Sequence, residues 1–354
     1  MFLEQDKPIA PFTTFGIGGP ARWFVTAETE ADVLEAAAWA RDNQVPLFVL
    51  GGGSNLLVSD AGFNGLILHI CLRGIEQQQQ AGAILFRAAA GEDWDALVQR
   101  AVQANCAGVE CLAGIPGTVG GTPVQNVGAY GQEVASTIQL VRALDLQTQE
   151  FVEFTALECA FAYRRSRFNS TDRGRYVVTR VDYCLQPGGA PTLRYADLQR
   201  TFSSASEVAL AEVAEAVRRI RQAKGMLLVE GDADCRSAGS FFKNPVLTAE
   251  ELLALAASAG QEPPRFPAGP EPQHIGCVKV PAAWLIEQAG FHKGFILGAA
   301  GISSRHTLAL VNRSQATAAE VVTLARTIHD SVLARFAIAL ENEPVLLGFP
   351  VNPF

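Results

Sequence analysis

The sequence predicts an α+β protein built from three lobes. The chain of 354 residues is longer than one ordinary domain, which indicates two or three domains. Hydrophobic residues make up 49% of the chain and charged residues 18%, so a sizeable core can be buried. Strand and helix patterns alternate as far as about residue 70 and mix differently beyond it. These observations predict successive lobes of mixed α and β structure.

The first predicted lobe spans residues 1–72 and has the pattern of a small βαββ-like unit. Thr29 precedes its helix and Asp32 holds the third helical position, as in a capping box. Short apolar runs bounded by glycine and polar residues indicate its strands. The predicted elements are strands at 22–25, 46–50, 56–58 and 65–70 and a helix at 31–43.

The second predicted lobe spans residues 73–225, and the carboxy-terminal segment 333–354 is expected to return to it. A glycine-rich stretch at 114–131 lies between its helices. The predicted elements are strands at 84–90, 140–144 and 176–185 and helices at 94–104 and 212–224.

The third predicted lobe spans residues 226–332, and its polar segment 230–237 indicates a boundary or a loop. Thr-x-x-Glu patterns mark two of the helix starts in this part of the chain. The predicted elements are helices beginning at Thr248 and Thr317, a Pro/Glu-rich loop at 261–273 and a helix at 282–289. A strand is predicted at 344–348, within the returning carboxy-terminal segment.

Composition excludes several classes of protein. A net charge of −8 argues against a protein that coats nucleic acid. The seven cysteines are odd in number and have no CxxC spacing, which favours reduced core thiols in a reducing compartment over metal ligation. No signal-peptide pattern and no apolar run of about 18 residues is found in the sequence, so a cytoplasmic, soluble protein without a membrane span is expected.

The most informative segment is Ala238–Pro245, which reads Ala-Gly-Ser-Phe-Phe-Lys-Asn-Pro. Its two phenylalanines predict anchoring in a core, and Gly239 allows a close approach of backbone or ligand. The hydroxyl of Ser240, the ammonium of Lys243 and the amide of Asn244 can then face a polar partner. Taken alone, the segment favours the alternative of a buried turn whose serine bonds its own backbone.

Two glycine-rich segments predict a site for a large flat ligand. The first, Gly51-Gly52-Gly53-Ser54-Asn55, follows an apolar strand, and its amides can form a nest for a diphosphate. It is neither a Walker loop nor a GxGxxG fingerprint, and a plain glycine turn is the alternative. The second segment, 114–131, contains six glycines. Together they indicate one dinucleotide held between two lobes.

These residues carry a resemblance to a known family. The chain is similar, nearly end to end, to the UDP-N-acetylenolpyruvoylglucosamine reductases of bacterial peptidoglycan synthesis, in particular to their type with a tyrosine loop. The joint order of the shared motifs is specific. They are Thr13-Thr14-Phe15-Gly16, Gly51–Asn55, Ile115-Pro116-Gly117, Gln125-Asn126, Gly128-Ala129-Tyr130-Gly131, Tyr163-Arg164, Ala238–Pro245, Ala283–Gln288 and Leu340–Glu343.

The resemblance implies the fold and the cofactor. In that family two lobes hold FAD without a Rossmann fold, in the manner of vanillyl-alcohol-oxidase (PCMH) type flavoproteins, and a C-terminal substrate-binding domain closes over the UDP-sugar. Nothing in the sequence indicates a covalent link, so non-covalent FAD is expected. The implied cofactor-binding residues are Gly51, Gly52, Gly53, Ser54, Asn55, Ile115, Pro116, Gly117, Gly120, Gln125, Asn126 and Gly128.

The resemblance also implies the reaction, the NADPH-dependent reduction of UDP-N-acetylenolpyruvoylglucosamine to UDP-N-acetylmuramate. NADPH reduces the flavin and leaves before the sugar enters. Ser240 resembles the proton donor, Arg164 the cation facing the substrate carboxylate, and Glu343 a protonated carboxyl that donates to the enolate. Without the resemblance, Arg164 reads as a surface residue beside two other arginines, and Glu341 competes with Glu343.

The remaining implied residues bind the substrate. Arg221 and Lys224 match cations for the UDP diphosphate, placed three residues apart on one helical face, while Tyr163 and Tyr195 match tyrosines with core packing as their alternative. The full implied set is Tyr163, Tyr195, Arg221, Lys224, Asn244 and Gln288. No obligate protein partner is evident. Two rivals stay open: a related FAD oxidase, which would react with oxygen and ignore NADPH, and a flavin- or nucleotide-binding protein without turnover.

Overall fold

A computed structural model of the chain describes residues 1–268 and 274–354. The chain divides into two compact units, each built from segments distant in sequence. The first unit comprises Met1–Lys7, Ala21–Gly53 and Asn64–Ala223. The second unit comprises Pro8–Pro20, Ser54–Phe63 and Lys224–Phe354.

Both units contain helices and strands. The helices are α1 (Glu30–Asp42), α2 (Trp94–Gln103), α3 (Ala196–Thr201), α4 (Leu210–Ala223), α5 (Ala249–Ala259), α6 (Ala282–Gln288) and α7 (Ala318–Phe336). The strands are β1 (Glu4–Pro8), β2 (Pro20–Ala27), β3 (Leu47–Leu50), β4 (Leu56–Val58), β5 (Phe63–Ile70), β6 (Ile75–Gln80), β7 (Ala83–Ala89), β8 (Cys106–Ala107), β9 (Gly128–Ala129), β10 (Gln132–Glu133), β11 (Ile138–Asp145), β12 (Glu150–Thr155), β13 (Tyr176–Pro187), β14 (Ser237–Ser240), β15 (Val246–Leu247), β16 (Phe266–Pro267), β17 (Val278–Lys279), β18 (Ile296–Leu297), β19 (Ala300–Ile302), β20 (Ala309–Asn312) and β21 (Val345–Leu347).

The first unit contains two main sheets. One has the strand order β1-β2-β5-β3, in which β3 and β5 run parallel. The other has the order β12-β11-β13-β7-β6, with β8 paired to β13, and its strand pairs are antiparallel. Apolar side chains from α1, α2, α4 and both sheets form one core that includes the fully buried Trp94 and Phe86. This core supports the loops that carry the second glycine-rich segment.

The second unit is organised around α7. One antiparallel sheet has the order β14-β20-β19-β18, another has the order β15-β17-β16, and β21 pairs in parallel with β4. The inner face of α7 buries Val321, Leu324 and Ile328 against the rest of this unit. Strand β14 ends at Ser240, so the core positions the residue that the sequence singles out.

The predicted helix starts are confirmed. Thr29, Thr248 and Thr317 each accept a hydrogen bond from the third helical residue, whose carboxylate returns the bond. Most predicted boundaries agree with the structure to within a few residues. The helix predicted at 212–224 ends at Ala223, so Lys224 lies beyond it rather than on one helical face with Arg221.

The carboxy-terminal strand differs from its predicted position. The sequence assigns 333–354 to the lobe at 73–225, but β21 pairs with β4, where Leu346 lies opposite Leu57. The Val345 amide donates to the Asn55 carbonyl at 3.0 Å. A four-residue apolar run has no local signal for its partner, so the sequence could not identify β4. The three-lobe division stays a prediction, and residues 269–273 of the predicted loop lie outside the described residues.

The cysteines are free thiols, as predicted. Four of them, Cys106, Cys111, Cys159 and Cys235, are buried. Burial raises the pKa of Cys111 and of Cys159 to about 12, so these thiols stay protonated at neutral pH. Within the described ranges, no helix combines the length and the hydrophobicity needed to cross a membrane.

Asp60 connects the segment that follows the first glycine-rich turn to the start of α7. Its carboxylate accepts hydrogen bonds from the Ala318 and Ala319 amides at 2.7 and 3.0 Å. Those amides belong to the first turn of α7, where a helix has unpaired donors and a positive end.

We expect Asp60→Ala to lower the free energy of unfolding by about 1–2 kcal/mol, because two amides of α7 lose an anionic acceptor. Urea unfolding measures this change. Asp330→Ala removes an exposed carboxylate from the same helix and serves as the control. Equal destabilisation by the two substitutions would contradict a capping role for Asp60.

Candidate active site

A β-bulge in β14 directs Ser240. Ser237 lies opposite Val311 and Ser240 opposite Ala309, so β14 has one more residue than β20 between these pairs. Gly239 supplies the bulge with a φ of +73°, and a Cβ at this position would meet no atom within 4 Å. Glycine is therefore favoured at position 239 because of its left-handed backbone conformation; a side chain would not clash with a neighbouring atom.

Two buried rings anchor the residues after Ser240. Phe241 and Phe242 are each 1% exposed, and their ring centroids lie 5.2 Å apart. The Phe241 amide also donates to the Leu308 carbonyl at 2.8 Å. The predicted anchoring is confirmed. The alternative is that Ser240 bonds its own backbone; the serine in this strand with such a contact is Ser237, whose hydroxyl accepts from the Gly239 amide at 3.2 Å.

The segment at 341–343 pairs with the backbone that follows Ser240. The Glu343 amide donates to the Phe241 carbonyl at 2.8 Å, and Phe242 forms an antiparallel bridge with Asn342. Ser240 and Glu343 thus lie at the same end of one short backbone pairing. Main-chain contacts within the second unit thus place the backbone of Ser240 close to that of Glu343, whose side chain is half-buried.

Glu341 is separated from this pair by its own contact. Its carboxylate lies 3.2 Å from the Lys243 ammonium, and the Glu341 side chain is exposed. Lys243, which the sequence left free to face a polar partner, is therefore part of a surface ion pair. Because the Glu341 carboxylate takes part in this ion pair at the surface, Glu343 is the better candidate for the functional carboxyl group.

Asn244 and Gln288 lie at opposite ends of α6. The Asn244 side-chain carbonyl accepts from the Ala282 amide at 2.9 Å, which caps the start of this short helix. Gln288 is its last residue and is half-buried. Both residues belong to the second unit, as Ser240 does.

Arg164 occupies a tight turn in the first unit. Ala162 and Arg165 exchange both backbone hydrogen bonds, at 2.9 and 3.1 Å, which places Tyr163 and Arg164 at the tip. Arg164 has a φ of +54°, a conformation that non-glycine residues adopt at a cost of roughly 1–2 kcal/mol. An arginine in this strained position indicates that its side chain is needed there.

Two asparagines brace this turn. The Asn169 amide donates to the Arg164 carbonyl at 3.1 Å, and the Asn126 amide donates to the Ala162 carbonyl at 3.0 Å. Asn126, 1% exposed, also donates to Glu133 and accepts from the Ala135 amide. Its side chain thus connects the second glycine-rich segment to the Arg164 turn. Sequence reasoning missed Asn169, although the Ser166-x-x-Asn169 spacing is a capping-box pattern that could have revealed it.

The two arginines near Arg164 have other surroundings. Arg165 is exposed, and Arg167 pairs with Asp172 at 2.7 Å and lies over the Phe154 ring. The half-buried Arg164 guanidinium lies 5.6 Å from the centre of the Tyr163 ring. The three arginines therefore have different environments, and Arg164 is less exposed than Arg165.

The glycine-rich loops contact each other within the first unit. A Cβ on Gly52 would lie 2.6 Å from the Gly117 Cα, and one on Gly51 would lie 2.6 Å from the Thr118 hydroxyl. The sequence attributed these glycines to a ligand, whereas here they permit the approach of one loop to the other. Gly53 and Gly117 have positive φ values. Backbone amides from two loops, unshielded by side chains, form the donor set that a diphosphate requires, and this arrangement fits FAD.

The other residues of the implied cofactor set are divided between the two units. A Cβ on Gly120 would lie 2.6 Å from the Ala90 Cβ, so this glycine is required by packing. Ser54 and Asn55 fall in the second unit, and the Asn55 amide donates to the Glu343 carbonyl at 3.3 Å. Half-buried positions in the second glycine-rich segment are held by Ile115, Pro116, Gln125 and Gly128.

Arg221 lies beneath the second glycine-rich segment. It is 8% exposed, and its Nε donates to the Gly114 carbonyl at 3.0 Å. Burial lowers the pKa of Arg221, and a hydrogen bond with Tyr130 opposes this effect. The Tyr195 ring meets the Tyr130 ring edge-on at 5.1 Å. Tyr195 and Arg221 are thereby connected through one residue of the Gly128–Gly131 motif.

Lys224 begins the longest segment of the second unit, and its charge acts on His306, which is not among the predicted site residues. Burial lowers the pKa of His306 to about 4, and the charges of Lys224 and Lys293 add to this effect. The Leu308 amide donates to His306 Nδ1 at 3.1 Å, so the neutral ring carries its proton on Nε2. This region therefore combines a cation with a neutral hydrogen-bond donor.

Comparisons with known proteins agree with this geometry. Residues 21–153 match the family described as "FAD binding domain", and residues 231–347 match "UDP-N-acetylenolpyruvoylglucosamine reductase, C-terminal domain". The reductase of Streptomyces coelicolor is 47% identical over 97% of this chain and 90% of its own length, and that of Thermobifida fusca is 43% identical over 98% of each. The crystal structure of the reductase from Thermus caldophilus superimposes with a TM-score of 0.66 at 26% identity, covering 98% of this chain and 100% of that one. The predicted α+β fold, with an FAD-binding domain followed by a C-terminal substrate domain of the reductases, is confirmed, and the chain belongs to the UDP-N-acetylenolpyruvoylglucosamine reductase family.

Proposed function

We propose that this FAD-dependent oxidoreductase uses NADPH to reduce UDP-N-acetylenolpyruvoylglucosamine to UDP-N-acetylmuramate, a step of peptidoglycan precursor synthesis. The observation that carries the assignment is the backbone pairing of Phe241 with Glu343, next to Ser240. It occurs in a chain 47% identical to the Streptomyces coelicolor reductase. Free cysteine thiols support a cytoplasmic location.

The substrate determines which groups the reaction needs. Its enol ether is conjugated to a carboxylate, so hydride addition at the terminal carbon builds negative charge on the carboxylate as an enolate. FAD, held by the two glycine-rich loops, supplies the hydride transfer when bound. The protein must then stabilise the enolate and add one proton to the remaining carbon.

Ser240 is the proposed proton donor. A hydroxyl is a weak acid, so it can act only where its position is fixed and the neighbouring charge is stabilised. The bulge at Gly239 and the anchors Phe241 and Phe242 support such fixation. The proton moves from Ser240 Oγ to the substrate carbon and completes the lactyl ether.

Arg164 and Glu343 are proposed to stabilise the enolate. A guanidinium stays charged and can donate two parallel hydrogen bonds to a carboxylate. The positive φ of Arg164 supports this role, because a glycine would hold the same turn at lower cost. Glu343, in its protonated form, would donate to the same oxygens.

The UDP-sugar is proposed to be held by several polar groups. Lys224 and Arg221 stay the predicted cations for the diphosphate. The buried contact of Arg221 with Gly114 supports a second role in holding the glycine-rich segment. Asn244 and Gln288 remain the proposed nucleotide contacts, and Tyr163 and Tyr195 the proposed tyrosines at the substrate.

We expect Ser240→Ala to separate the two half-reactions. NADPH should still bleach the flavin, whereas reoxidation by the enolpyruvyl sugar should slow by about 10²–10⁴-fold, because the proton donor is absent. Stopped-flow absorbance of the flavin measures both steps. Ser331→Ala, on α7, serves as the control. Normal reoxidation would exclude Ser240 as the donor, and a wild-type protein that reacts with oxygen but not with NADPH would be an oxidase instead.

Arg164→Lys keeps the positive charge but removes the planar guanidinium group, which can donate two parallel hydrogen bonds to one carboxylate. We expect kcat/KM for the enolpyruvyl sugar to fall at least about tenfold. Arg165→Lys makes the same change at the adjacent exposed residue and should leave kcat/KM within about twofold. Equal kinetics of the two variants would place the Arg164 side chain outside the reaction.

A further inference from the structure

A partly buried ionic cluster holds the segment between Lys224 and Ser240. We name it the Asp234 clamp; it consists of Asp232, Asp234, Arg305 and Arg313, all in the second unit. Asp234 is 3% exposed. The sequence predicts a boundary or a loop at 230–237, and the reaction described above assigns no role to the residues of the clamp.

The Asp234 carboxylate is fully engaged. It accepts from the Ser304 amide at 3.1 Å, the Ser304 hydroxyl at 2.5 Å and Arg305 Nε at 3.0 Å, and its Oδ1 lies 3.1 Å from an Arg313 nitrogen. Asp232 pairs with the same Arg305 guanidinium. Two carboxylates thus balance two guanidinium groups, which is the condition for burying charge.

The clamp carboxylate is ionised at neutral pH. Burial alone would raise the pKa of Asp234, but the hydrogen bonds from Ser304 and Arg305 and the charge of Arg313 bring the pKa below its ordinary value. A permanent ion pair, rather than a titrating switch, therefore fixes this segment.

One end of the clamped segment follows Lys224 directly. A Cβ on Gly225 would lie 3.0 Å from both Arg305 Nε and the Asp234 Cβ, and Gly225 has a φ of +66°. Gly225, the residue after Lys224, thus packs closely against Arg305 and Asp234 of the clamp. Any larger residue at 225 would displace Arg305 or Asp234.

The other end of the segment leads to Ser240. The Asn312 amide donates to the Arg236 carbonyl at 2.9 Å, and Ser240 lies opposite Ala309 in β20. Arg305 and Arg313 flank this strand on either side. One element of the second unit, residues 303–313, therefore contacts both the clamp and the strand that carries Ser240.

We propose that Asp234 is a positioning residue that fixes Lys224 relative to Ser240. The inference rests on the proposed function, in which Lys224 binds the diphosphate and Ser240 protonates the enolpyruvyl group of one substrate molecule. If the segment is already ordered in the free protein, substrate binding does not include the entropy loss of ordering it, and the substrate binds more tightly. Asp234 touches no reacting atom; it acts through Lys224.

The test is a double-mutant cycle on the FAD-loaded enzyme. Asp234→Asn keeps the shape and removes the charge, and it should raise KM for the enolpyruvyl sugar at least about tenfold with a smaller change in kcat. In a Lys224→Ala background the same substitution should change KM less than about twofold. Equal effects in both backgrounds, or an unchanged KM in the first, would overturn the proposal.

A matched control separates positioning from stability. Asp145 is equally buried and pairs with Arg175 at 2.7 Å in the first unit. Asp145→Asn should lower the thermal midpoint by a similar amount and leave KM unchanged. A raised KM in this variant would mean that any lost ion pair has the same effect. If Asp234→Asn does not fold, Arg305→Lys is judged by the same two criteria, because it keeps the charge but cannot bridge both carboxylates.

A binding measurement keeps this proposal distinct from the assigned reaction. Calorimetry with UDP alone should show weaker binding to Asp234→Asn than to the wild type, and no such difference in the Lys224→Ala background. Absence of turnover in the wild type would contradict the proposed function. A UDP affinity that Asp234→Asn leaves unchanged would contradict the clamp.

Discussion

The backbone pairing between 241–243 and 341–343 fixes the main chain that carries Ser240 and Glu343 in the second unit. The Glu343 amide donates to the Phe241 carbonyl at 2.8 Å, and the Lys243 amide donates to the Glu341 carbonyl at 2.9 Å. Buried main-chain groups must be paired, and Phe241 and Phe242 fix one side of the pairing in the core. The positions of Ser240 and Glu343 are therefore consequences of the fold. The Glu341 side chain is exposed and lies 3.2 Å from the Lys243 ammonium.

Left-handed backbone serves two purposes in this protein. At Gly239 it permits a bulge, and at Gly117 it accompanies the contact between two loops. At Arg164 it carries a cost that glycine would avoid, which indicates that the side chain has a function. The braces from Asn126 and Asn169 hold this strained turn, so the stability of the surrounding first unit maintains it.

Local features of the structure could be predicted from the sequence, and distant pairings could not. Capping boxes at Thr29, Thr248 and Thr317 and the anchoring phenylalanines each depend on residues a few positions apart. The pairing of β21 with β4 joins short apolar strands far apart in sequence, and neither strand specifies its partner. The glycines were correctly noted, yet the contact of Gly52 with Gly117 was not foreseen, because an absent side chain does not say what approaches it. The role of Asp234 was missed for a similar reason: its partners lie some 70 residues away.

The proposed joint action of Ser240 and Glu343 is tested most directly by the rate at which the enolpyruvyl sugar reoxidises the reduced flavin. The variants needed are Ser240→Ala, Glu343→Gln and the double variant. Groups that act in one step are strongly non-additive, so the double variant should be no more than about tenfold slower than the slower single variant. Losses that simply multiply would contradict the view that the backbone pairing makes these two residues a single catalytic unit.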